Sequence, residues 1–329
     1  MKDYSGKYGI YKAETDSLIE SLIAKTEPCD LYDPIRYILS GGGKRLRPVL
    51  TLFSCEAFGG NYKDALNAAA AIELLHNFTL VHDDIMDNAD TRRGKLTIHK
   101  KWDRDTAILA GDHLIALSLK AINMTSSNHM KRIYDYYINS LSEVCEGQIY
   151  DKSFEKDRNV SINDYIMMCR KKTSKLLESC TAIGAVIAEA GDDDIESAVI
   201  YAENLGLAFQ MQDDLLDIMG EEESFGKKTG GDIREGKKTF LLLKAIELAG
   251  NDKDRNVLIS VVNKDDVISE DSFVNLVREI YIKYGVIDKA KKVVEEYTGK
   301  AVSALNNIKS EEGKELLRWF SEMVLNRSH

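Results

Sequence analysis

The chain has 329 residues, 44% of them hydrophobic, so it can bury a sizeable core. Its net charge of −10 and pI near 5.3 exclude nucleic acid or an anionic membrane surface as the main partner. Five cysteines without CxxC spacing exclude a disulfide framework or a zinc site, and the thiols are expected to be reduced and mostly packed. A polar N-terminal stretch and the lack of 18 uninterrupted apolar residues speak against a signal peptide or a membrane span, so a cytoplasmic protein is expected.

Only Pro28, Pro34 and Pro48 occur, and the 281 residues after Pro48 contain none, which favours helices throughout. Apolar residues recur at three and four from Leu18, Leu22 and Ile23 to Val274, Leu276, Val277 and Ile280, giving an all-α chain in one domain spanning 1–329. Breaks are expected at 40–44, 88–97, 124–129, 151–160, 220–237, 250–254 and 263–270.

In chain order, the first chemical feature is GGGKRLRP at 41–48, where Lys44, Arg45 and Arg47 follow a glycine turn able to approach phosphate closely. Next comes an apolar helix over 68–81 that runs into VHDDIMDNAD. Asp83 and Asp87 lie ~40° apart on a helix and Asp84 ~100° from Asp83, so the three carboxylates form a claw suited to Mg²⁺. Asp90 falls outside it and is expected to be a loop residue near Arg92. His76, seven residues before Asp83, shares the same stripe within ~20°.

TRRG at 91–94 adds Arg92 and Arg93. Gln148 and Asp151 in EGQIYD read equally well as a helix end. Ser161 with Asp164 three residues on is a capping box before Tyr165, Ile166 and Met167. Lys172 and Thr173 add a cation and a hydroxyl on a further helix. DDLLD then repeats the claw with Asp213, Asp214 and Asp217, and GKKTGGDIREGKKT at 226–239 supplies Lys227 and Lys237. One acidic cluster is most simply a solvated helix end, whereas two, each followed by cations, describe a diphosphate site with several Mg²⁺ ions.

GGGKRLRP, HNFTLVHDDIMD, TRRG, CEGQ, KTSKLL, FQMQDDLLD and GKKTGGDIREGKKT stand in the order and spacing of the trans-isoprenyl diphosphate synthases. The chain therefore resembles the polyprenyl synthetase family over ~40–240. That resemblance implies the isoprenoid synthase fold with helices around a central cavity, a homodimer, and head-to-tail condensation of isopentenyl diphosphate with an allylic diphosphate on three Mg²⁺ ions. It implies metal ligation by Asp83, Asp84, Asp87, Asp213, Asp214 and Asp217. Arg92, Lys172 and Lys227 are implied at the allylic diphosphate, and Lys44, Arg47, His76 and Arg93 at isopentenyl diphosphate. Gln210 and Thr173 would line the reaction centre, while Asp232 and Lys237 would close it.

Small Thr79 and large Phe78, four and five residues before Asp83, resemble the pattern of C20 producers, which makes Phe78 the floor of the product tunnel; the wheel puts Phe78 ~140° from Asp83, so an ordinary core residue is the alternative. Geranylgeranyl diphosphate is the expected product and farnesyl diphosphate the alternative. A terpene cyclase would lack GGGKRLRP, and a non-catalytic subunit of a heteromeric synthase generally loses the first aspartate cluster, which is intact here.

Overall fold

The computed structural model describes residues 2–219 and 229–325. Its longer helices are α1 (Ser5–Leu22), α2 (Cys29–Leu39), α3 (Leu46–Ala57), α4 (Leu66–Met86), α5 (Ile98–Lys101), α6 (Arg104–Asn123), α7 (Met130–Phe154) and α8 (Ile162–Cys169). They continue as α9 (Lys175–Ile187), α10 (Asp192–Met219), α11 (Gly231–Glu235), α12 (Phe240–Leu248), α13 (Asp252–Asn263), α14 (Asp271–Lys283), α15 (Val286–Ala304) and α16 (Glu311–Leu325). Among the described residues the strands are confined to one hairpin, so the all-α expectation holds. Among the same residues, no helix is long and apolar enough to cross a membrane.

The chain groups into two compact units, each drawn from three segments. The first comprises Met1–Leu141, Leu176–Ile200 and Ala304–Phe320; the second comprises Ser142–Lys175, Tyr201–Ser303 and Ser321–His329.

In the first unit α4 is the central element. Ala68 to Ala71 give it strong helix propensity, and these residues together with Ile72, Leu74, Leu75, Phe78 and Val81 are buried, as expected of a helix apolar on nearly every side. It packs along α6 through the small residues Ala107, Ala110, Gly111 and Ala121. Beyond α4 the chain forms the hairpin, β1 (Thr91–Arg92) with β2 (Lys95–Leu96), in register Thr91 to Leu96 and Arg92 to Lys95. Its two-residue turn has Arg93 at φ 53° and Gly94 at φ 74°, the doubly left-handed geometry whose twist matches antiparallel strands.

The second unit buries Leu207, Met211 and Leu215 of α10 with Tyr165 and Met168 of α8, Leu241 and Leu242 of α12 and Val277 and Ile280 of α14. The capping box is formed as expected: Ser161 Oγ accepts from the Asp164 backbone N–H at 3.2 Å, and Asp164 Oδ2 accepts from the Ser161 N–H at 2.9 Å. One expectation needs correction: helix α7 continues to Phe154, so the break expected at 151–160 begins only after it. Leu276 is exposed while Val274, Val277 and Ile280 are buried. Among the described residues no cysteine is in a disulfide; Cys55, Cys169 and Cys180 are buried and Cys29 and Cys145 exposed.

Candidate active site

In the first unit Asp83 and Asp84 lie in the last turn of α4 and Asp87 is its C-cap. Asp84 is buried (2% exposed), Asp83 half-buried and Asp87 exposed, so the three carboxylates differ in their access to solvent. Arg92 explains the difference: its Nε donates to Asp84 Oδ1 at 2.7 Å, drawing that carboxylate toward the hairpin. Burial raises the proton affinity of Asp84 and the Arg92 charge opposes the shift. Asp90 does lie in the loop, but its ion pair is with Lys100 at 3.0 Å, not with Arg92.

The glycine turn and the hairpin meet in this unit. Arg93 donates to the Gly42 carbonyl, and Gly43, at φ 140°, holds a backbone conformation that favours glycine and brings the chain close to the Arg93 guanidinium. Tyr8 donates to the Lys44 carbonyl and fixes the backbone of that exposed lysine. Arg47 lies 3.1 Å from His76 Nε2. Since Arg47 is always protonated, His76 accepts through Nε2 and carries its proton on Nδ1. Burial, and after it the charges of Arg47, Arg93, Arg92 and Arg45, hold His76 well below the usual imidazole range. Burial also lowers Arg93, with Arg45, Arg92 and Arg47 acting in the same direction and Glu73 against. Lys44, Arg47, His76 and Arg93 thus lie in a cationic environment that favours an anion.

Arg45 behaves differently. It is buried and donates to Glu73 at 2.9 Å, Asp16 at 2.7 Å and the Leu39 carbonyl at 2.9 Å. Although it stands in the basic block, it serves the fold. On the same helix Thr79 donates to the His76 carbonyl at 2.8 Å. Phe78 is buried edge-on against His82, with ring centroids 4.8 Å apart.

In the second unit a hydrogen-bond chain runs through the other predicted residues. Thr173 Oγ1 donates to Gln210 Oε1 at 3.0 Å, Gln210 Nε2 donates to Asp214 Oδ1 at 3.1 Å, and Tyr165 donates to Asp214 Oδ2 at 2.5 Å. Asp214 is buried and its proton affinity strongly raised, by burial first and by Asp232 second. Asp217 accepts from the Gly231 and Asp232 backbone N–H groups, both at 3.1 Å, and so caps α11. Asp213 is half-buried. Lys237 pairs with Glu235 at 2.7 Å and Asp232 at 3.4 Å. Lys227 lies outside the described residues.

Lys172 and Thr173 occupy a π-helical turn, Arg170–Ser174, between α8 and α9. Such turns insert one residue into a helix and re-aim side chains. Two glycines admit this one. A Cβ at Gly147 would lie 2.4 Å from the Lys172 backbone nitrogen, and one at Gly206 would lie 2.5 Å from Ser174 Oγ. Lys172 donates to Asp151 at 2.6 Å.

Sequence reasoning missed Glu73, Tyr165 and His99. A lone glutamate in an alanine-rich helix and a tyrosine opening an apolar run look like ordinary core residues. His99, whose ring nitrogens are buried and without a partner among the described residues, shows no pattern in sequence.

Among the described residues no three carboxylate, imidazole or thiol groups converge to enclose a metal ion. The donor set nevertheless fits Mg²⁺, which takes hard oxygens, keeps waters and shares them with substrate phosphates instead of an all-protein cage.

A profile of the polyprenyl synthetase family matches residues 28–280. The chain belongs to the polyprenyl synthetase family. This polyprenyl synthetase is 37% identical over 320 residues to the short chain isoprenyl diphosphate synthase of Methanothermobacter thermautotrophicus, with 97% of each chain covered. It is 38% identical to the geranylgeranyl diphosphate synthase of Saccharolobus solfataricus, with 88% of each covered. The solved geranylgeranyl pyrophosphate synthetase of Pyrococcus horikoshii Ot3 superposes with TM-score 0.92 at 34% identity, covering 99% of this chain and 100% of that one. The polyprenyl synthetase fold is thereby established, the enzyme is a trans-prenyltransferase, and its family is generally Mg²⁺-dependent.

Proposed function

We propose that the enzyme is a geranylgeranyl diphosphate synthase, condensing isopentenyl diphosphate with an allylic diphosphate on three Mg²⁺ ions and releasing diphosphate. The observation that supports the reaction is the 3.1 Å contact of Arg47 with His76 Nε2, with the charges of Arg93 and Arg92 acting on the same imidazole, a field relieved by a bound diphosphate. The C20 product rests on the names of the similar relatives and on Phe78 before the first aspartate cluster.

Lys44, Arg47, His76 and Arg93 bind isopentenyl diphosphate, with His76 neutral. Asp83, Asp84, Asp87, Asp213, Asp214 and Asp217 supply the carboxylate oxygens for Mg²⁺, Asp217 while also capping α11. When bound, Mg²⁺ supplies neutralisation of the charge that develops on the departing diphosphate. Arg92, Lys172 and Lys227 contribute fixed cations to the same end. The Thr173 to Gln210 hydrogen bond orients both side chains toward the reaction centre, and Asp232 and Lys237 close it. The allylic carbon that loses diphosphate is attacked by the isopentenyl double bond, and the departing diphosphate takes the proton released in the last step. The growing tail runs back along α4, past Thr79 to Phe78.

The enzyme acts in the cytoplasm as a homodimer. Support for pairing comes from α6, which exposes Ile108, Leu109 (60%) and Leu119. Sedimentation equilibrium tests it, with a 36.9 kDa species refuting the dimer. The function is tested by incubating the protein with Mg²⁺, isopentenyl diphosphate and farnesyl diphosphate and separating the products. A C20 diphosphate is expected, and no consumption of isopentenyl diphosphate would identify a non-catalytic subunit. With dimethylallyl diphosphate as primer, termination at C15 would identify a farnesyl diphosphate synthase.

A further inference from the structure

Helix α7 carries a polar group that the reaction as described does not use. The Gln148 side chain is 6% exposed, and neither its Nε2 nor its Oε1 has a hydrogen-bond partner among the described residues. Leaving both ends of a buried amide unmade is costly, and a folded protein retains such a group where something else completes it.

Position indicates what that is. Gly147, the preceding residue, abuts the Lys172 backbone, and Asp151, three residues on, accepts from Lys172 Nζ at 2.6 Å. At ~100° per residue, Gly147, Gln148 and Asp151 share a sector of ~100° on α7, so Gln148 lies on the side of the helix that meets the π turn. A carboxylate such as Asp151 offers only acceptors, and Lys172 only donors. Gln148 offers both donors, on Nε2, and an acceptor, Oε1, which matches an anion together with a water bound to it.

We propose that Gln148 is a further substrate-positioning residue. Its Nε2–H donates to a diphosphate oxygen, and its Oε1 accepts from a water in that diphosphate's shell. The proposal rests on the prenyl-transfer reading above and extends it to a residue with no assigned role.

The test uses full-length Gln148→Leu and Gln148→Glu, with inorganic diphosphate and Mg²⁺ as the probe. Leu removes both hydrogen-bonding ends at similar volume, while Glu keeps the acceptor and places a charge against the anion. The deciding quantity is the upward shift in unfolding midpoint that the probe produces on each variant's own ligand-free value. This comparison does not depend on how either substitution alters the free protein. With the probe at about ten times its wild-type Kd, the shift is expected to fall by more than half in both variants and kcat to drop about tenfold or more, the worth of one hydrogen bond to a charged group. A probe-induced shift equal to wild type in either variant overturns the proposal and assigns Gln148 a purely internal water. Wild-type turnover separates the two readings. If wild type consumes isopentenyl diphosphate and the variants respond normally to the probe, only the Gln148 role fails; if wild type is inert, the prenyl-transfer reading fails.

Discussion

Replacing Arg45 by Met separates a cation that serves the fold from those that serve the substrate. Arg45 is 6% exposed, and its partner Glu73 is 2% exposed. Removing the guanidinium leaves the Glu73 carboxylate buried with, among the described residues, the Asn77 amide 3.0 Å away as its remaining side-chain donor, and strips the Leu39 carbonyl of its 2.9 Å contact. Breaking one side of a buried ion pair costs about 3–5 kcal/mol. At ~2.1 cal/mol/K per residue the unfolding entropy of this chain is ~0.7 kcal/mol/K, so the midpoint should fall by ~4–7 °C. Asp16 adds little, because its side chain is one-third exposed. Thermal unfolding followed by circular dichroism, with steady-state kinetics at a temperature where the variant is fully folded, measures both consequences. The KM for isopentenyl diphosphate should stay within about twofold. The double variant Arg45→Met with Glu73→Leu should regain part of the loss, since no buried charge remains. An unchanged midpoint with a KM raised tenfold would refute the reasoning and return Arg45 to the phosphate-binding set.

Three other outcomes follow from the same structure. Phe78→Ala removes the proposed floor, and Leu74, a buried side chain four residues back and ~40° away on the helix, stands ~6 Å further along the axis; chromatography should show products longer by about one C5 unit. Gly147→Ala forces a Cβ to 2.4 Å from the Lys172 backbone, so the π turn must shift; kcat should fall at least tenfold, while the midpoint drops by the equivalent of about 1–3 kcal/mol. His76, held below its ordinary value near 6.5, binds fewer protons folded than unfolded, so stability must fall as pH drops through about 6.5. Denaturant titrations at pH 7.5 and 5.5 should show this fall, and His76→Asn should flatten it.

Much of this could be read from the chain itself. Proline scarcity and three-four periodicity gave the helices, and the Ser161 box marked a helix start to the residue, because these signals are local. Partners across the fold were less accessible. KRLR shows three cations of equal standing, and only tertiary packing reveals that Arg45 turns inward to Glu73 while Arg47 meets His76. The regular wheel placed Asp83, Asp84 and Asp87 together but could not foresee that the hairpin would draw Asp84 toward Arg92. A π turn leaves no signature in periodicity, since it is one residue out of phase over five. The passage of the chain back and forth between two compact units was hidden as well, because periodicity reports which face is buried and not against what.

The Arg45 to Glu73 pair also constrains how this chain can change in length. Glu73 is pinned three turns before Asp83 on one unbroken helix, so the pair sets the rotational phase and axial position of the carboxylates. One residue inserted or deleted between positions 73 and 83 would turn the aspartates by ~100° and move them ~1.5 Å relative to that pin. Substitutions of equal volume leave this ruler intact. A single-residue indel in that stretch should therefore abolish turnover in a protein that still folds.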